Sequence, residues 1–138
     1  MNIVIASDHA GFELKKLLMK NNPNIIFKDL GSYDISSVDY PDYAHRLAKE
    51  VSENTESLGV LICGSGNGVC MAANKHPKIR AALCWSVEIA SLAKQHNDAN
   101  VLCIPARFID IAMAQQIFST FITQIFEGGR HQVRVNKI

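Results

Sequence analysis

Residues able to do chemistry fall in five short clusters along this chain. The most loaded is Cys63-Gly64-Ser65-Gly66-Asn67-Gly68, where a cysteine ends an apolar run and three glycines alternate with polar residues. Glycines at alternate positions between a strand and a helix leave backbone N–H groups bare, which makes an anion cradle. The spacing is GxGxG and not the GxGxxG of dinucleotide folds. No lysine follows a glycine as in GxxxxGK[ST], and the residue six after Cys63 is Val69, not the arginine of a CxxxxxR phosphatase loop. A cysteine at a strand tip beside such a cradle is suited to base or nucleophile work. On spacing alone, a tight turn whose cysteine is a strand-end hydrophobe fits equally well.

Asp8-His9, followed by Gly11, ends the first apolar run. An adjacent carboxylate and imidazole can move protons or hold an anion; Asp8 can equally cap the helix that follows, with Glu13 assisting. His96-Asn97-Asp98 closes an amphipathic run, where histidine suits the helix dipole and Asn97 suits a left-handed cap. Arg107 follows another apolar run, in Pro105-Ala106-Arg107. Beyond Gly128-Gly129 come Arg130, His131 and Arg134. Two arginines four apart can clamp a phosphate, with a charged solvated tail as the alternative. Tyr40, ahead of Pro41, is placed to line a pocket or to staple a helix start. His45 and His76 are assigned surface or packing roles. The inventory fits proton transfer next to the carbonyl of a small phosphorylated metabolite.

Positioning these clusters requires a regular frame, and the hydrophobic pattern supplies one. Strands are expected at Ile3–Ala6, Ile25–Phe27, Leu58–Cys63, Ile79–Cys84 and Asn100–Ile104. Between them the pattern predicts helices over Gly11–Lys20, with Lys15 off the apolar face, and from Tyr40 to about Glu53, with Pro41 in the first turn. Further helices are expected over Gly68–Ala73, Ser86–His96 and about Ile109–Phe126, the last stopped by Glu127-Gly128-Gly129. Gly31–Asp39 reads as a polar loop. Five strand–helix repeats with near-continuous apolar strands specify an α/β fold: a three-layer αβα sandwich around a five-stranded parallel sheet, Rossmann-like and doubly wound. One domain over residues 1–138 is expected, with ligands beyond the carboxyl ends of the strands.

Composition narrows the classes further. The chain has 138 residues, 48% hydrophobic and 20% charged, with 8 Gly and 4 Pro, which excludes disordered and low-complexity classes. A formal net charge of +1 argues against a dedicated nucleic-acid binder. No apolar run approaches the ~20 residues that span a bilayer, so no membrane partner is expected. Met1–Asp8 lacks a basic n-region and a long apolar h-region and reads as the first strand, which points to the cytoplasm. Cys63, Cys70, Cys84 and Cys103 form no CxxC pair, and no histidine stands at ligand spacing from a cysteine. Neither a disulfide nor a metal site is expected, and no cofactor.

The sequence resembles the type B ribose-5-phosphate isomerases, of the family that also contains the galactose-6-phosphate isomerase subunits. The resemblance rests on Ser7–Gly11, Asp39-Tyr40-Pro41, Ile62–Gly68, Ala72–Lys75, Ile79-Arg80-Ala81, Gln95–Leu102 and Glu127–His131, in the family order over nearly the whole chain. It implies metal-free aldose–ketose isomerisation of ribose 5-phosphate and ribulose 5-phosphate through an enediolate, in the pentose phosphate pathway. Cys63 takes the position of the base, Ser65 that of the hydroxyl flanking it, and Gly64, Ser65, Gly66, Asn67 and Gly68 that of the loop whose N–H groups hold the enediolate oxygen. Asp8 matches the group relaying a proton between the substrate oxygens, and His96 the residue that opens the sugar ring. His9, Arg107, Arg130 and Arg134 match phosphate contacts, and Asn97 a sugar contact. Some members replace the cysteine by an acid a few residues further on; here that stretch is Val69-Cys70-Met71, with no carboxylate. The alternatives are an isomerase of galactose 6-phosphate or allose 6-phosphate, or a non-catalytic sugar-phosphate-binding domain.

Topology adds a constraint. Asp8 and Cys63 follow strands and lie at the carboxyl edge of the sheet, whereas His96 and Asn97 follow a helix and lie at the opposite edge, about 17 Å away for a five-residue strand. The role that the resemblance implies for His96 therefore calls for a second chain: a homodimer with shared sites, or a tetramer built from it.

Overall fold

The computed structural model describes residues 2–138; of the N-terminal segment read as a strand, Met1 lies outside the described residues. The strands are β1 (Asn2–Ser7), β2 (Ile26–Asp29), β3 (Leu58–Cys63), β4 (Ala81–Leu83) and β5 (Val101–Pro105). The helices are α1 (Phe12–Asn21), α2 (Tyr40–Glu53), α3 (Asn67–Ala73), α4 (Val87–Asn97), α5 (Ile111–Thr123) and α6 (Arg130–Val135). All strand pairs are parallel, in the order β2-β1-β3-β5-β4. The architecture is the expected three-layer αβα sandwich.

Both faces of the sheet are covered, and β3 shows it within two residues. Leu61 and Ile62 point to opposite faces and neither is exposed. Ile62 packs with Leu14, Leu18, Ala90 and Phe118 of α1, α4 and α5; Leu61 packs with Leu47, Val51 and Val69 of α2 and α3. Connection handedness dictates which helix takes which face. Connections toward the β2 edge carry α1 and α4, and connections toward the β4 edge carry α2 and α3. Right-handed crossovers in opposite directions must use opposite faces. The chain leaves the neighbouring strands β1 and β3 in opposite directions, so a crevice opens beyond their carboxyl ends. Among the described residues no helix is long and apolar enough to cross a membrane.

The structure departs from the pattern reading in five places. First, β4 covers only Ala81–Leu83: the Arg80 N–H leaves the ladder for the Asn100 side chain, while the Cys84 N–H still donates to the Cys103 carbonyl of β5 at 3.0 Å. Second, α5 ends at Thr123, short of the two glycines. Gln124 is extended, and the next residues tie to α4 through Gln95, whose side chain donates to Gln124 at 2.8 Å and whose carbonyl accepts from Glu127 N–H at 3.0 Å. Third, Arg130–Val135 is a helix and not a solvated tail. Fourth, the left-handed cap of α4 is Asp98 (φ 45°), not Asn97. Its carboxylate is taken by Arg80 and Lys94 at 2.9 and 3.3 Å, which rewards that position. Fifth, Lys15 is fully buried. Its Nζ donates to Asp29 Oδ1 and to the Ser32 carbonyl, both at 2.6 Å, and lies over the Tyr33 ring at 5.4 Å. A buried ammonium is tolerated when it is so fully paired, and this one fastens the start of the 31–39 loop to α1.

Candidate active site

At the crevice between β1 and β3 a cleft of about 540 Å³ is lined by Asp8, His9, Tyr40, Cys63, Gly64, Ser65, Gly68, Arg107 and Phe108. Cys63 is the last residue of β3, aligned with Pro105 of β5 and 5% exposed. Its Sγ accepts the Gly66 N–H at 3.1 Å, which fixes the sulfur at the rim. That contact depends on Gly66 at φ +74°, where a Cβ would also strike Leu83. At Gly68 a Cβ would come within 2.5 Å of the Tyr40 ring, so the absent side chain is what lets Tyr40 lie on the loop. The cradle is narrower than expected. Of the N–H groups from Gly64 to Gly68, that of Gly66 is turned onto Cys63, and that of Asn67 onto Ser65 Oγ at 3.3 Å.

Asp8 is buried at the end of β1, and its Oδ1 accepts from Ala10 and Gly11 N–H at 2.9 and 3.1 Å. It makes an Asx turn and is not the helix cap, since the residue preceding α1 is Gly11. One carboxylate oxygen is thereby fixed, and the residue lines the cleft. His9 Nδ1 accepts the Val38 N–H at 3.2 Å. In the neutral ring this assigns the proton to Nε2, which makes His9 a donor toward an anion. The Arg107 guanidinium packs over Gly64, where a Cβ would meet its Nη1 at 3.1 Å.

His96, Asn97, Arg130 and Arg134 do not line this cleft. They gather at the opposite edge of the sheet, where α6 lies against α4. Arg80 binds the Asn97 and Asp98 carbonyls there at 3.1 and 3.0 Å. Arg130 and Arg134 are exposed and share one face of α6. His131 is buried and stacks on His96, ring centroids 4.1 Å apart and planes at 7°. Enclosure pushes the His131 imidazole below the usual range; His96 and Arg130 act in the same direction, and Glu127 opposes them. A second cleft of about 400 Å³ near this edge is lined by Lys78, Arg80, Lys94 and Asp98, with Arg80 and Lys94 both paired to the Asp98 carboxylate.

In the sequence Tyr40 fits two roles, and Phe108, Val38 and the His96–His131 stack carry no assignment. An aromatic residue directly after the loop arginine was the available signal for Phe108. Nothing local signals the other two.

The family model described as Ribose/Galactose Isomerase matches residues 3–138. A probable ribose-5-phosphate isomerase B of Mycoplasma pneumoniae is 50% identical, over 99% of this chain and 91% of the relative. Among solved structures, a ribose 5-phosphate isomerase of Thermotoga maritima superposes with a TM-score of 0.96 at 44% identity, covering 99% of this chain and 95% of that one. Ribose-5-phosphate isomerase B of Mycoplasma genitalium, solved with bound ribulose-5-phosphate, gives 0.94 at 46% identity, covering 99% and 92%.

Proposed function

Because the chain belongs to the Ribose/Galactose Isomerase family, we propose that it is an enzyme interconverting ribose 5-phosphate and ribulose 5-phosphate through an enediolate. The reading is carried by the convergence of Cys63, Asp8, His9 and Arg107 on one cleft at the switch point of the sheet. A Cys63 thiolate would take the proton from C2 of the open-chain aldose and return it to C1 of the enediolate. Asp8, with one oxygen locked in its turn, would pass a proton between the two substrate oxygens. The free N–H groups of the 64–68 loop would hold the developing oxyanion, as donors placed before the reaction begins. Ser65 would steady the base. Nε2 of His9 and the guanidinium of Arg107 would bind the phosphate from this chain.

The remaining roles fall to a partner copy. His96 would open the furanose ring, Asn97 would bind the sugar, and Arg130 and Arg134 would close on the phosphate, all reaching the cleft from a two-fold related chain. Exposed aromatic surface at the cleft supports this: Tyr40 is 41% exposed and Phe108 75%. Such an apolar rim fits a surface that a ligand or another chain covers.

A coupled assay tests the reading. Ribose 5-phosphate is expected to be converted to ribulose 5-phosphate, and faster than galactose 6-phosphate or allose 6-phosphate reacts. Turnover of a six-carbon substrate alone would move the chain to the sibling activity, and turnover of none would remove isomerisation. The mechanism routes no step through a metal. Exhaustive EDTA treatment is therefore expected to leave the rate unchanged, and loss of activity restored by a divalent ion would overturn that route.

A further inference from the structure

We propose that His96, Glu127 and His131 form a binding site for a divalent transition-metal ion of the zinc class. The three residues are scattered in sequence, and the fold assembles them. Gly128 and Gly129, at φ +67° and +53°, turn the chain back so that α6 lays His131 on His96. Nε2 of His96 and Nε2 of His131 lie 3.8 and 3.6 Å from the same Glu127 oxygen, and one ligand atom from each residue falls within 4.8 Å of the others. These separations exceed hydrogen-bond length, so the lone pairs are not consumed by one another.

Zinc bonds of about 2.0–2.1 Å in tetrahedral geometry set neighbouring ligand atoms about 3.3 Å apart. The observed spacing is within half an ångström or so of that value on the two measured edges. The Glu127 side chain is 51% exposed and that of His96 36%, so Glu127 is free to rotate, and His96 must turn out of its 7° stack on His131, because each imidazole binds an ion in the plane of its own ring. The buried His131 supplies a fixed third arm. Two imidazoles and a carboxylate with an open side suit zinc, cobalt or nickel and not magnesium or calcium. Water would complete the shell. The other close imidazole pair, His45 Nδ1 and His76 Nε2 at 2.9 Å, shares a proton and belongs to none of the three-residue groups with ligand spacing among the described residues.

An ion so held would occupy the ring nitrogen of His96. On the isomerase reading above, on which this consequence rests, the ion is an inhibitor and not a cofactor. The test is a cobalt titration of EDTA-stripped protein carrying His45→Asn and His76→Asn, followed by visible absorption. One ion per chain is expected, with the strong bands of low-coordinate cobalt. Glu127→Gln and His131→Asn should each weaken binding at least about tenfold. Glu127 is exposed, so its variant does not depend on the fold tolerating a change in the core. Binding that survives both substitutions, or absence of the bands, overturns the site. In parallel, zinc should slow ribose 5-phosphate turnover, and Glu127→Gln should need at least about ten times more zinc for the same fractional loss. Triad-dependent cobalt binding without zinc inhibition would uphold the site and count against the catalytic role of His96.

Discussion

Replacing Cys63 by alanine is expected to leave the fold and sugar-phosphate affinity in place while turnover falls roughly 10²–10⁴-fold, the contribution of a positioned base. That loss corresponds to about 3–5 kcal/mol of barrier. The structural cost is smaller: the buried Gly66 N–H loses its sulfur acceptor, which costs about 1–3 kcal/mol. A melting curve close to the parent's together with a collapsed kcat and little change in KM would therefore separate chemistry from folding. Near-normal turnover would remove Cys63 from the mechanism. Alkylation by iodoacetate, slowed by substrate, gives an independent reading, and the other thiols decide how to run it. Burial pushes the Cys84 thiol up to about 12 and holds Cys103 well above its usual range, so neither competes. Cys70 does compete, because a hydrogen bond from Cys103 lowers it. The labelling belongs in a Cys70→Ala background.

The frame of the molecule was legible because it follows from local pattern. Leu58–Cys63 matches β3 residue for residue, since a strand covered on both faces has to be apolar throughout. The start of α2 at Tyr40-Pro41 was legible from proline's fixed φ. The order of the strands was not, because nothing between Ile79 and Ile104 says that β5 inserts between β3 and β4. Lys15 misled for the opposite reason. Its charge argues for solvent, and only Asp29 and the Ser32 carbonyl, brought close by the fold, make burial tolerable. The cleft was legible in its chemistry and not in its walls. Asp8, His9 and Arg107 follow a strand and Cys63 ends one, which is a topological statement that a sequence can carry. Val38 orienting His9, and His131 stacked on His96, are tertiary contacts with no local trace.

Mixing two inactive variants is expected to restore activity. Helix α4 has 11 residues and so runs about 16 Å. Its first residue, Val87, follows β4 at the edge where Cys63 sits, and its last turn carries His96 to the other edge. No side chain spans that distance, so within one chain Cys63 and His96 cannot act on the same sugar. A two-fold axis would resolve the conflict by setting the His96 edge of each chain against the cleft of the other, forming two such sites at once. Cys63→Ala and His96→Ala homodimers would each carry the same lesion in both sites. In the mixed dimer, one site takes Cys63 from the first chain's partner and His96 from the first chain, and both are intact. The other site collects both lesions. With random exchange of equal amounts, about half the dimers are mixed and half of their sites are whole, so roughly a quarter of the parental activity should return. Exchange is checked by mass, using one isotopically labelled variant. If mixed dimers form and both variants keep their fold, yet no activity returns, the two residues do not serve a shared site. Recovery in proportion to the mixed fraction would be explained by nothing in a single-chain site.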